Sequence, residues 1–322
     1  MPDDTYMKYR GKPFMRELNG FHLNSRGYKD GEFSLKKKGI FRIICIGDSQ
    51  AYGAVPYPDC CLTILREKLK SIYPNSELLN MGVPAAGPVD YLSLLINEGL
   101  DLQPDLVLIF LYCGDDFRNG GKRHRWYSHS VAATFLNSLI ANRWPPEGRM
   151  FAAGEYSEDR PLRAEKAYIK LMADSSGEMF LKNNNNKFVA DFNSVIDIVS
   201  RIKALCDLRK IGVAVVLCPS DVQVYPEIRK KVMDRLQVAT DQFDIQIPDR
   251  MLENEFSKLN IQFMDLSEYF SRGYNKDHKK FTQPNDPHWN RYGNAVAAEI
   301  IKPWLVRIVN GRMRREPALQ KR

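Results

Sequence analysis

The chain has 322 residues, 44% of them hydrophobic, which suits an ordinary globular protein with one large domain or two small ones. No stretch reaches the roughly 18 uninterrupted apolar residues of a membrane span, and "MPDDTYMKYRGKPF" has no apolar signal region. The expectation is therefore a soluble cytoplasmic chain, or a periplasmic or membrane-anchored one if an upstream anchor has been removed. The formal charge of +8 gathers partly in "KKK" at 36–38 and in "GRMRREPALQKR", with no nucleic-acid motif beside it. A solvated basic surface or an acidic polymer fits better than DNA or RNA.

In chain order, the first 40 residues read as an extension. "FRIICIGD" (41–48) then reads as a buried strand, "CLTILREKLKSIY" as a helix and "ELLNMG" (77–82) as a second strand. "DYLSLLINEGL" returns to helical spacing before "DLVLIFLYC" (105–113). Residues 117–187, rich in Arg, Asn and Gly, read as an insertion, partly helical around "AATFLNSLIANRW". "FNSVIDIVSRIKALCDLRK", "GVAVVLCPS" (212–220), "RMLENEFSKLN" and "IQFMDL" (261–266) complete the alternation, and 311–322 form a basic tail. Near-continuous apolar strands joined by amphipathic helices predict a three-layer α/β/α sandwich with a central parallel sheet. The six cysteines show neither a CxxC pair nor metal-ligand spacing, and buried reduced thiols are expected.

Ligands of such sheets bind at the carboxyl ends of the strands. There the sequence offers Gly47-Asp48-Ser49, Asn80-Met81-Gly82 and Gly114-Asp115-Asp116. Any one of these is ordinary turn and cap chemistry, but three in successive units invite a functional reading. A serine becomes a nucleophile only when a base takes its proton. Of five histidines, His22, His124, His129 and His278 lie before the core, in the insertion or in a charged run, whereas His288 follows Asp286 and leads into a long amphipathic segment.

These blocks, in this order, resemble the SGNH/GDSL hydrolase family of serine esterases and acyl-ester transferases, over roughly residues 41–310. The resemblance implies a flavodoxin-like fold, with Ser49 as nucleophile and His288 as base. It further implies an oxyanion hole from the N–H groups of Ser49 and Gly82 together with residue 115. "LNSRGYKDGEF", "NMGVPAAGP" and "DPHWNRYGNAVAAEI" are similar to a bacterial subgroup associated with polysaccharide acetylation and deacetylation.

The chain departs from the family's pattern twice. Its third block places Asp115 where the family has a donating asparagine. An ionised Asp115 about 4 Å from the oxyanion would cost about 4 kcal/mol at an effective dielectric near 20, similar to losing a donor. Alternatively Asp115 is protonated beside Asp116 and donates, or it points away and Asn119 or backbone N–H groups serve. The second departure is spacing: the common Asp-x-x-His slot holds Asn285, and Asp286 forms Asp-x-His, so Asp286 is the expected orienter and Asn285 its alternative.

The resemblance implies hydrolysis of a carboxylic ester, with a small O-acyl or O-acetyl group on a carbohydrate as first choice, and calls for no cofactor or metal. The expected partner is a small-molecule or polysaccharide ester. A polysaccharide O-acetyltransferase and a catalytically weakened carbohydrate-binding protein are the alternatives. Tyr52, Trp126, Tyr127 and Trp289 are candidate walls for a sugar or acyl group, and the arginines of the insertion would suit an anionic substrate.

Overall fold

The computed structural model describes residues 11–17, 19–121, 156–183 and 186–314. Five parallel strands form one sheet: β1 Phe41–Gly47, β2 Ser76–Asn80, β3 Leu106–Tyr112, β4 Gly212–Cys218 and β5 Gln262–Asp265, in the order β2-β1-β3-β4-β5. Every residue of β1, β3 and β4 is buried, as strands covered on both faces require. The edge strand β5 is partly exposed. All five predicted strands are present, each within about two residues of its expected bounds.

The connections follow from the strand order. In chain order the helices are α1 Ser49–Tyr52, α2 Cys61–Ile72, α3 Pro88–Leu94, α4 Glu165–Ser175, α5 Asn186–Asp207, α6 Asp221–Val224, α7 Pro226–Leu236, α8 Ile247–Lys258, α9 Ser267–Asp277 and α10 Arg291–Met313. A right-handed crossover from β1 to β2 puts α2 on one face, where α10 packs beside it. Crossovers in the other direction put α3, α5 and α8 on the opposite face. The order therefore reverses at β1, and the carboxyl ends of β1 and β3 flank the crevice where such folds bind ligands.

Two segments differ from the sequence reading. Within the stretch read as an insertion, α4 buries Tyr168, Met172 and Ala173 in the main core and packs against α7. The segment "AATFLNSLIANRW", with His124, His129, Trp126 and Tyr127, lies outside the described residues. The N-terminal extension is woven into the body, with Leu23, Tyr28, Lys29 and Asp30 all buried. Lys29 donates to the carbonyls of Gly53 (2.9 Å) and Val55 (2.6 Å) and lies 3.5 Å from Glu17. All six cysteines are buried and free, as expected. Among the described residues no helix is long and apolar enough to cross a membrane.

Candidate active site

β1 ends in Gly47, and the chain turns at once into the single-turn helix α1. Asp48 caps it, accepting from the N–H of Gln50 at 2.8 Å, so Ser49 occupies the first helical position, half-buried at the lip of the sheet. A residue at that position has no intrahelical acceptor for its N–H, which leaves a donor beside its own side chain. Asn80, at the end of β2, secures the turn from below. Its Nδ2 donates to Ala51 O (2.9 Å), and its Oδ1 accepts from the N–H of Gly82 (2.8 Å).

That last bond bears on one expectation. The N–H of Gly82, expected in the oxyanion hole, is committed to Asn80 in this structure. The need for glycine at this position has another cause. A Cβ on Gly82 would lie 2.4 Å from Tyr52 N and 2.7 Å from the Ala51 carbonyl carbon, so the glycine lets β2 approach the α1 turn.

The loop before α10 carries the base. An isolated bridge pairs Thr282 with Trp289, and Gln283 N donates to His288 O at 2.9 Å, closing a compact loop over 283–288. Asn290 ends it as the N-cap of α10, accepting from Gly293 N at 2.8 Å. Asp286, 1% exposed, faces back along the loop: its Oδ1 accepts from His288 N (3.0 Å) and contacts His288 Nδ1. His288 Nε2 lies 2.8 Å from Ser49 Oγ. The structure thus brings Ser49, His288 and Asp286 into one hydrogen-bonded line across 239 residues of sequence. Asn285 is not in that line. It takes φ +53° in the turn and its Nδ2 donates to Arg163 O at 3.0 Å.

The line is electrostatically biased. Burial works to raise the Asp286 carboxyl, but the neighbouring His288, the bonds between them and the Arg163 guanidinium outweigh it and hold it at about 2. Burial works to lower the His288 imidazole, yet the charge and hydrogen bond of Asp286, aided by Asp48, leave it raised above the ordinary 6.5, while Arg163 pulls it down. Asp48 is itself pushed up to about 6, chiefly by burial.

No protein-family model matches the chain, and no curated protein matches its sequence. Among solved structures it is similar to an acetyl xylan esterase, AlAXEase, at TM-score 0.47 and 14% identity, over 83% of this chain and 99% of that one. It is also similar to a two-domain esterase (CEX) active on acetylated mannans (TM-score 0.45, 12% identity, 84% of this chain and 50% of that one). A third likeness is to the lipase/acylhydrolase from Enterococcus faecalis (TM-score 0.42, 14% identity, 85% and 97%). At TM-scores under 0.5 such likenesses assign neither a family nor an activity.

The acidic pair after β3 divides, and of the alternatives left open for Asp115 the geometry agrees with the one in which it points away. The desolvated member is Asp116, not Asp115. Asp116 is 2% exposed, accepts from Tyr112 N (2.7 Å) and Tyr91 Oη (2.9 Å), and burial followed by the charge of Asp48 raises its carboxyl well above the usual range. The Asp115 side chain is 63% exposed, with Arg118 at 3.9 Å. Trp289, a candidate sugar wall, is buried beside Phe270 (5.4 Å between centroids) and Phe110 (6.5 Å), so it is core. Tyr52 is half-buried beneath the Lys29 ammonium, 5.0 Å from its ring centre.

Several site contacts have no signature in the sequence. Gln50 Nε2 donates to Pro287 O (2.9 Å), and Gln283 Nε2 donates to Ala54 O (3.1 Å). Arg163 pairs with the free oxygen of Asp286 from 123 positions away. Behind the loop, buried Asp221 accepts from Tyr168 Oη and from Thr282 Oγ1 (3.0 Å), anchoring the segment that leads to His288. A groove of about 640 Å³ lies elsewhere, beside β5 and lined by Asp249, Asp265 and Ser267 among others; it holds none of the residues named for the reaction. Among the described residues, no group of three or more His, Cys, Asp or Glu is placed to hold a metal ion.

Proposed function

We propose that the protein is a serine esterase that cleaves a carboxylic ester through an acyl-Ser49 intermediate. The observation that carries this reading is the Asp286-His288-Ser49 line, with Nε2 2.8 Å from Oγ and Nδ1 against the buried carboxylate. Neutral His288 accepts the Ser49 proton as Oγ bonds to the ester carbon, and the carbonyl electron pair moves onto oxygen. The Ser49 N–H, at the first position of α1 and without an intrahelical acceptor, is a built-in donor for that oxyanion. Collapse breaks the bond to the alcohol, which leaves with the proton from imidazolium. Water then repeats the sequence in reverse and frees the acid. Asp286 fixes the imidazole tautomer throughout.

The substrate within this class is a small O-acyl group on a carbohydrate, a choice supported by the sequence resemblance of "NMGVPAAGP" and "DPHWNRYGNAVAAEI". The test is release of p-nitrophenol from acetate, butyrate and octanoate esters by wild type and Ser49→Ala. Serine-dependent release that favours acetate is expected. Equal release by both proteins would remove Ser49 as the nucleophile, and none from either would overturn the esterase reading.

A further inference from the structure

Residues 156–164 form a non-helical, largely exposed strap, and its hydrogen bonds reach the base loop and the first residue of α10. Leu162 N donates to Pro284 O (3.1 Å), and Arg163 O accepts from Asn285 Nδ2 (3.0 Å). Arg163 Nη1 pairs with Asp286 Oδ2, and Glu158 Oε1 accepts from Arg291 N (3.2 Å). The Arg291 guanidinium lies 4.9 Å from the centre of the Tyr156 ring.

Asp286 therefore has two occupied oxygens. Oδ1 serves His288, and Oδ2 is held by a cation from another part of the chain. The Arg163 side chain is 28% exposed and the carboxylate 2%, so the pair lies at the rim of the site with its anionic half inside. A carboxylate held at one oxygen cannot rotate to offer the other, and a guanidinium suits this because its planar donors are pre-organised.

We propose that Arg163 is a positioning residue for the triad: it fixes Asp286 by its second oxygen and so ties the seating of the 156–164 strap to the orientation of His288. The proposal rests on the esterase reading for its effect on turnover, but not for its effect on His288 itself. The charged and titratable groups that face His288 are Asp286 from its own loop, Asp48 from the β1–α1 turn and Arg163 from the strap, and Asp115 acts on Asp48. Arg163 is the cation among them and pulls the imidazole down, so its removal should raise the imidazole midpoint.

The experiment follows the imidazole directly. His-labelled wild type, Arg163→Gln and Arg163→Lys are titrated by NMR, with the His288 signal assigned by its loss in His288→Gln. The expected result is a midpoint displaced upward in Arg163→Gln and close to wild type in Arg163→Lys. Serine-dependent kcat should fall by up to about 100-fold in the Gln variant, the loss expected when a catalytic group moves by roughly 1 Å, and its acid limb should move with the NMR midpoint. A Gln variant that titrates as wild type does, or a Lys variant displaced as far as the Gln variant, overturns the proposal. If wild type shows no serine-dependent turnover the esterase reading fails, and the NMR midpoints still decide the role of Arg163.

Discussion

Gln50, the residue after the nucleophile, donates its side-chain amide to the carbonyl of Pro287, the residue before the base, at 2.9 Å. The clasp has a reciprocal partner, since Gln283 in the base loop donates to Ala54 just beyond α1. Together they hold the β1–α1 turn and the 283–288 loop in register, which sets the separation of Oγ and Nε2. Gln50→Leu keeps the bulk and removes the donor. We expect kcat to fall by about 10-fold with KM little changed, short of the ~100-fold expected for a full 1 Å displacement. Steady-state kinetics on p-nitrophenyl acetate check this, and an unaltered kcat would reduce the clasp to packing.

The pH profile reports the electrostatic bias of the site. His288 must be neutral to take the serine proton, and Asp286 and Asp48 stabilise its charged form. The acid limb of kcat/KM should therefore have its midpoint above 6.5, the ordinary histidine value. A midpoint at or below that value would mean that desolvation, not Asp286, governs the imidazole.

Asp115→Asn tests the unusual third block. With its side chain 63% exposed and Arg118 nearby, Asp115 is screened by solvent, and exposed charge pairs contribute about 1 kcal/mol or less. The substitution should alter serine-dependent turnover by less than about fivefold. A gain of tenfold or more would place the carboxylate against the oxyanion after all.

Asp221 supplies a stability prediction. Burial pushes its carboxyl up to about 7 from an ordinary 3.8. A raised carboxyl contributes stability that is full below the unfolded value and is lost as pH rises through the folded one. Wild type should thus lose stability between about pH 4 and pH 7 through this group, on the order of 4 kcal/mol at most. Asp221→Asn has no such loss and retains an acceptor for Tyr168 and Thr282. Denaturant melts at pH 5 and pH 8 should show the variant gaining on wild type at the higher pH; a constant difference would refute the shift.

The strands were legible because each is a local apolar run, whereas the grouping of Ser49, Asp286 and His288 was suggested by the order of motif blocks and not by any single local pattern; the structure places the three side chains together. What was not legible depends on contacts between distant segments. Nothing in "PLRAEK" signals that Arg163 reaches Asp286, and nothing in "GDDF" tells which aspartate turns inward. That choice is made by Tyr91 and the Tyr112 N–H, which take Asp116 and leave Asp115 outside. Gly82 looked like a donor because the motif has a glycine there, whereas the backbone packing against Tyr52 supplies a steric reason for it.

Lys29 lies upstream of the first strand, yet its ammonium is sealed beneath the nucleophile turn, bonded to the carbonyls of Gly53 and Val55 and neighboured by Glu17. The unit that folds is therefore longer than the unit a motif search would outline from residue 41. A chain trimmed to that first strand would lose the Lys29 ammonium from both carbonyls and leave them to water and the weak Cys60 thiol contact. The loss would fall on the backbone that sets the pitch of α1, so a shortened chain that still folds should be read first at its serine.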